Sequence, residues 1–244
     1  AALREGIELG MTMIDTAEMY GDGRSESLVA EAIAGQREKI FLVSKVLPSN
    51  ASRKGAVRAC EASLKRLKTD RLELYLLHWS GSHPLEETVR GFEDLRRAGK
   101  IRDWGVSNLD LAEMKRLSAI AGGQACAANQ VLYNLSRRGI EFDLLPWSRA
   151  RAMPIMAYTP IEQGRILGHQ ALGAVAARLG ATPAQVALAW VLRQPGVVTI
   201  PKAGTRTHVR ENRKALDLGL DAEALRALDA AFPPPTRARP LEML

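Results

Sequence analysis

The chain has 244 residues, 46% hydrophobic and 25% charged, which suits one sizeable core and excludes a disordered chain or a disulfide-stapled miniprotein. Its formal net charge is +7, but basic and acidic residues are interspersed, and no basic block or aromatic-basic stripe marks a nucleic-acid surface. No apolar run approaches the ~18 residues of a membrane span. The opening residues Ala1 to Glu5 lack the apolar segment of a secretory leader, and two cysteines, Cys60 and Cys126, make no disulfide framework. The expectation is a cytoplasmic protein with neither a membrane nor a nucleic-acid partner.

Taken in chain order, a helical segment over 1–9 leads into a β-rich run at 12–15. Then come a helix at 25–34, a strand at 40–44, a helix at 53–67, a strand at 72–77 and a helix at 86–98. A strand at 101–106 and a helix at 109–119 follow, then a strand at 126–130, a helix at 140–151 and a strand at 154–158. Helices at 168–179 and 183–193 precede the last strand, 197–200. The helical segments repeat apolar residues at spacings of three and four. Thr182-Pro183 opens a helix with a cap and a first-turn proline, and Gly99 and Gly180 close two others. No linker or low-complexity tract divides the chain before Pro233-Pro234-Pro235, so a single domain over 1–244 is expected.

Alternating strand and helix is the βαβα signature of a parallel sheet, and runs such as Leu72-Glu73-Leu74-Tyr75-Leu76-Leu77 are apolar enough to be covered on both faces. The glycine-rich G-x-G-x-x-G turn of a dinucleotide-binding open sheet is missing. Seven strands behind an opening helix match an eightfold (β/α)8 TIM barrel lacking its first strand, and ~250 residues is the usual barrel length. An open seven-stranded sheet, or a barrel with one strand overlooked, is the alternative.

Barrel enzymes carry their chemistry at the C-terminal ends of the strands. Here those ends are polar: Asp15, Lys45, His78, Ser107 with Asn108, Gln130, Tyr158 and Lys202. Singly, Asp15 could cap a helix and His78 could be structural. Together they imply a shared site in which ionisable groups act on one another.

These residues sit in stretches that resemble the aldo-keto reductases. Ile14-Asp15-Thr16-Ala17-Glu18-Met19-Tyr20-Gly21 is similar to the first signature of that family, Phe41 to Lys45 to its lysine strand, and Tyr75 to Trp79 to its histidine strand. Gly99 to Asn108 and Ile200-Pro201-Lys202 are similar to two further signatures. The detail resembles the bacterial branch that reduces small aldehydes and dicarbonyls such as methylglyoxal. The resemblance implies a barrel whose N-terminal hairpin and first strand are not in these residues, and a catalytic tetrad of Asp15, Tyr20, Lys45 and His78. Tyr20 would give a proton to a carbonyl oxygen while a nicotinamide reduces the carbon. An unassisted phenol has a pKa of ~10, so it needs a positive neighbour. Lys45 would supply it, Asp15 would hold Lys45, and His78 would polarise the carbonyl.

By position, the resemblance assigns Ser107, Asn108 and Gln130 to the nicotinamide carboxamide and Tyr158 to stacking on its ring. Thr159, Pro160, Ile161, Gln163, Gly164 and Arg165 form the loop over the pyrophosphate. Ile200, Pro201, Lys202, Ala203, Gly204, Thr205 and His208 lead to the adenosine phosphate, and Glu211 and Asn212 to the adenine. Lys202 favours NADPH/NADP+, while His208 and Ala203 stand where many members carry arginine and serine, which leaves NADH open. Met19 and Trp79 would wall a small carbonyl substrate, no metal is implied, and a monomer is expected. The rival reading is a nicotinamide-nucleotide-binding redox-sensing regulatory subunit with little turnover.

Overall fold

Helix α1 (Ala2–Glu8) opens the chain in the computed structural model, which describes residues 1–244. Internal contacts gather the chain into two units, residues 10–129 and residues 1–9 with 130–244.

The first of these alternates β1 (Met13–Asp15), α2 (Arg24–Ile33), β2 (Phe41–Val46), α3 (Arg53–Leu67), β3 (Leu72–Leu77), α4 (Leu85–Arg97), β4 (Ile101–Ser107) and α5 (Leu111–Ala119). Its strands are parallel and lie in chain order. All six residues of β3 are buried, as expected of a strand covered on both faces. Ser52 caps α3 by accepting from Gly55 N–H, and Ala56, Ala59, Cys60, Ser63, Leu64 and Leu67 form its buried stripe. In α4 the stripe is Thr88, Val89, Phe92 and Leu95. Burial of each large apolar side chain stabilises the fold by ~1.5–3 kcal/mol. One glycine is dictated by close approach: a Cβ at Gly105 in β4 would stand 2.5 Å from the Ala128 carbonyl oxygen and 2.9 Å from Leu76 Cδ2.

The second unit carries β5 (Asn129–Leu132), which begins at the boundary, then α6 (Leu144–Arg149), β6 (Ile155–Tyr158), α7 (Gln170–Arg178) and α8 (Pro183–Leu192). It ends with β7 (Val197–Thr199), α9 (Arg206–Lys214) and α10 (Ala222–Ala231). Its strands also follow chain order, β6 parallel to β7. Within neither unit does the order reverse, as it would at the switch point of a doubly wound sheet. Thr182 and Gln185 form a reciprocal capping box on α8, and everything from Gln185 to Val191 is buried because the helix is apolar all round. Arg138 ties α10 down through Asp229 (2.7 Å) while it pairs with Glu141 (2.9 Å). Helix α1 is fastened to α9 by Glu5 and Arg210 at 2.6 Å. No single helix is long and apolar enough to cross a membrane.

Six expected strands agree with the structure to within two residues. The fifth does not: β5 spans Asn129–Leu132 rather than 126–130. A 3-10 turn, Gly123–Ala125, runs into Cys126, so the regular strand begins three residues later and includes Val131 and Leu132. Gln130 consequently lies inside β5 instead of ending it, and Lys45 lies inside β2 instead of following it. Ser107, expected after β4, is its last residue. The helix expected over 140–151 breaks into a 3-10 turn, Gly139–Glu141, and α6, because Asp143 starts a new helix by accepting from Leu144 N–H. Helices α9 and α10 follow the last of the expected elements.

Candidate active site

Strand alternation decides what β2 presents. Ser44 donates to the fully buried Glu26 of α2 at 2.6 Å, while the next residue, Lys45, turns to the opposite face. There Lys45 is fully buried, and its Nζ donates to three oxygens: Asp15 Oδ2 at 2.6 Å, the Thr16 carbonyl at 2.9 Å and Tyr20 Oη at 3.3 Å. An ammonium has three N–H donors, and each finds an acceptor. A charge buried this deeply is tolerated because it is paired and hydrogen-bonded. Asp15 ends β1, beside β2, with Asp15 aligned on Val43. Tyr20 lies in the turn beyond β1, where Gly21, Asp22 and Gly23 all have positive φ and reverse the chain into α2. Its side chain remains 36% exposed, so the phenol is at a rim open to solvent.

His78 follows β3 and is buried, its ring centroid 5.7 Å from that of Tyr20 at an angle of 78°. Burial, and to a smaller extent the charge of Lys45, push its pKa from 6.5 down to about 4, so the imidazole is neutral at neutral pH. Its Nδ1 is buried without a hydrogen-bond partner. A proton there would be an orphaned buried donor, which is rarer than an under-satisfied acceptor; the favoured tautomer therefore carries N–H on Nε2. Trp79 packs against His78 with centroids 4.8 Å apart, and Met19 is exposed next to Tyr20 in the chain. Asn108 adopts φ 60° just past β4, and its Nδ2 donates to the His78 carbonyl and to Ser107 Oγ, both at 3.2 Å. Thus Asp15, Tyr20, Lys45 and His78 converge, and Asn108 is fastened both to the backbone of His78 and to the hydroxyl of Ser107.

The remaining site candidates lie in the other unit. Gln130 is buried in β5, its Nε2 4.0 Å from Met156 Sδ. Tyr158 ends β6 and is half-buried; Thr199 donates to Ala157 O from the adjacent end of β7, so Tyr158 and the Ile200–Pro201–Lys202 segment leave neighbouring strands. Of the loop that follows, Thr159, Gln163 and Gly164 are left-handed, while Pro160, Ile161 and Arg165 are not. Lys202, Gly204, Thr205 and His208 are exposed around the first turn of α9, with Ala203 half-buried. Thr205 caps that helix by accepting from His208 N–H at 3.2 Å, and Glu211 and Asn212 are half-buried in its last turns.

Several residues that the sequence did not single out hold these groups. The Thr16 carbonyl completes the Lys45 shell, and Glu18 accepts from Leu47 N–H at 2.7 Å and Asn50 Nδ2 at 3.0 Å. In the 159–165 loop the nearly buried Glu162, itself left-handed, accepts from Asn134 (2.7 Å), Arg137 (3.0 Å) and Arg165 (3.1 Å). Asn134 also donates to the Thr159 carbonyl at 2.9 Å. A carboxylate in a loop with no charged partner nearby except Arg165 was the available signal; Asn134 and Arg137 are too distant in sequence to be connected to it.

The aldo/keto reductase family pattern matches residues 1–232. Methylglyoxal reductase YeaE of Escherichia coli (strain K12) is 54% identical over 100% of this chain and 88% of its own. Glyoxal reductase of Bacillus subtilis (strain 168) is 32% identical over 94% of this chain and 82% of its own. The crystal structure of an aldo/keto reductase from Klebsiella pneumoniae, in complex with NADP and acetate, superposes with a TM-score of 0.98 at 52% identity, covering 100% of this chain and 88% of that one. The fold is therefore the (β/α)8 barrel of these proteins, seven of whose parallel strands are present here. With a matching pattern over nearly all its length and a lysine, carboxylate, phenol and imidazole gathered where that fold keeps its chemistry, the chain belongs to the aldo/keto reductase family, a family of oxidoreductases.

Proposed function

We propose that the chain is a single reductase domain over 1–244 that uses NADPH to convert small aldehydes or dicarbonyls, of the methylglyoxal class, to alcohols. One observation carries the assignment of Tyr20. Lys45 already donates to Tyr20 Oη, so the phenol is an acceptor towards Lys45 and must aim its own proton elsewhere. A carbonyl oxygen seated against Oη would receive that proton as charge builds on it. The phenolate left behind is stabilised by the ammonium of Lys45, which Asp15 and the Thr16 carbonyl keep from withdrawing. Neutral His78 contributes an Nε2–H donor to the same oxygen without adding a second positive charge beside Lys45. Being part-exposed, Tyr20 regains its proton from water.

A reduced nicotinamide, when bound, supplies the hydride that the carbonyl carbon accepts. The donor set of the unit containing residues 130–244 suits such a dinucleotide: an aromatic ring at the end of β6, an exposed lysine beyond β7, and the capped first turn of a nine-residue helix. We assign Tyr158, the 159–165 loop, Ile200 to Thr205, His208, Glu211 and Asn212 to it, with Ser107, Asn108 and Gln130 directed to the carboxamide. Met19 and Trp79 offer apolar surface beside the phenol and imidazole, suited to a small substrate. The unpaired thiols Cys60 and Cys126 suit a reducing compartment, and we place the enzyme in the cytoplasm, acting as a monomer on small molecules. The relatives named methylglyoxal and glyoxal reductase, and the NADP bound to the Klebsiella protein, support the substrate and cofactor classes.

The test compares wild type with Tyr20→Phe using NADPH and methylglyoxal. Turnover should fall by about 10²–10⁴, with NADPH binding retained in a fluorescence titration. Equal turnover in the two proteins would refute the role of Tyr20.

A further inference from the structure

We propose that Glu18 is a positioning residue that sets the separation of Tyr20 from Lys45; this rests on the reading of Tyr20 as the proton donor. The β1–β2 ladder ends at Thr16, whose N–H donates to Val43 O at 3.0 Å. Beyond it, the segment that carries Tyr20 has to be held by other means. Glu18 supplies three attachments, all to the stretch that carries or follows Lys45. Its own N–H donates to Lys45 O at 3.4 Å, and its Oε1 accepts from Leu47 N–H at 2.7 Å and Asn50 Nδ2 at 3.0 Å. On the far side of Tyr20, the chain is anchored to its own helix by Ser25 N–H donating to Tyr20 O at 3.2 Å.

The distances show why this clip governs the chemistry. Lys45 Nζ is fixed by short bonds to Asp15 (2.6 Å) and Thr16 (2.9 Å), whereas its bond to Tyr20 Oη, at 3.3 Å, is already at the long end of the N–H···O range. The soft coordinate in the cluster is therefore the position of the Tyr20 turn. Bonds to a carboxylate are the stronger kind, and losing the two that Glu18 accepts leaves the backbone of that turn tied to the Lys45 side only by the long Glu18 N–H bond to Lys45 O at 3.4 Å. A movement of about half an ångström then breaks the ammonium–phenol contact, and a misplacement of ~1 Å at a reacting group can cost ~10²-fold in rate. Glutamine keeps an Oε1 acceptor at the same place, so shape and acceptor are retained while charge is removed.

The experiment measures kcat and KM for methylglyoxal, NADPH affinity by fluorescence titration and the thermal midpoint, for Glu18→Ala, Glu18→Gln, Tyr20→Phe and the Glu18→Ala/Tyr20→Phe double variant. The expected result is a fall in kcat of about tenfold or more for Glu18→Ala, with KM and NADPH affinity unchanged. Glu18→Gln should restore most of the rate. In the Tyr20→Phe background Glu18→Ala should cost nothing further, because it acts through the missing hydroxyl. Circular dichroism and the thermal midpoint establish that each variant is folded; if Glu18→Ala is not, Glu18→Gln and Glu18→Leu take its place in the comparison. Unchanged kcat in Glu18→Ala, an equal loss in Glu18→Gln, or an additive loss in the Tyr20→Phe background would each overturn the proposal. A Tyr20→Phe protein with wild-type turnover would instead remove the reading beneath it.

Discussion

Replacing Lys45 by methionine separates what this residue does for stability from the role proposed for it in catalysis. The side chain is fully buried, and its partner Asp15 is only 9% exposed, so the substitution leaves a carboxylate with neither its counter-charge nor access to bulk water. Removing one member of a buried ion pair costs about 3–5 kcal/mol. A chain of this size loses ~2–4 °C of thermal midpoint per kcal/mol, which makes the expected drop ~6–20 °C, read by differential scanning calorimetry. Turnover should fall with it, by ~10² or more, since the phenolate loses its stabilising charge. Adding Asp15→Asn removes the charge that Lys45 no longer balances, at nearly constant shape. The double variant should regain about half or more of the lost stability and none of the rate. A double variant as unstable as Lys45→Met, or a single variant as stable as wild type, would refute the account of this pair as a charge buried for catalysis.

Three further outcomes follow from the same geometry. The pKa of His78 is depressed from 6.5 to about 4 in the folded chain, so the unfolded chain takes up a proton there first as pH falls. His78 therefore costs no stability above about pH 6.5 and withdraws it between there and about pH 4, with a slope of up to one proton; urea unfolding at pH 7 and pH 5 should show a shallower pH dependence in His78→Gln, and identical slopes would count against the burial argument. Glu162→Gln deprives Arg137 and Arg165 of their shared carboxylate; with both arginines partly solvated, a loss of about 1–3 kcal/mol is expected, together with weaker NADPH binding and an unchanged KM for the carbonyl substrate at saturating cofactor. Asn108→Ala places a methyl side chain at φ 60° and removes the two bonds donated to His78 O and Ser107 Oγ; it should be less stable than Asn108→Gly by about 1 kcal/mol, and equal midpoints would show that the backbone there carries no strain.

The meeting of Asp15, Lys45 and His78 is legible in the sequence because each lies at or beside the end of an apolar strand and the strands recur at a regular spacing, whereas Tyr20 joins them only through the resemblance of its motif to the family signature. Asp15, Lys45 and His78 are far apart in the chain, yet parallel strands of similar length bring their ends level, so topology alone predicts their meeting. What was not readable depends on pairings that no period encodes. Glu18 carries no sequence signal for its role, because its partners Leu47 and Asn50 lie 29 and 32 positions away. Little in the sequence sets Glu162 apart within its own loop, because Asn134 and Arg137 lie on a different element. Strand β5 begins later than the sequence suggests because Cys126-Ala127-Ala128 is as apolar as the strand itself, and composition does not show that a 3-10 turn runs into it. The expected long helix over 140–151 failed at Asp143, whose side chain bonds to the very next amide and restarts the helix there.

Gly105 carries a lesson for anyone wishing to redesign this reductase. The missing side chain lets the β4 backbone lie against the Ala128 carbonyl, with only 2.5 Å left for a methyl carbon. Ser107 and Asn108 are two and three positions downstream, so even alanine at 105 would lever the strand outward and draw the Asn108 amide away from the His78 carbonyl it bonds. Libraries that broaden the range of carbonyl compounds accepted can vary Met19 and Trp79, the walls proposed for the substrate, but they should leave this invisible residue alone.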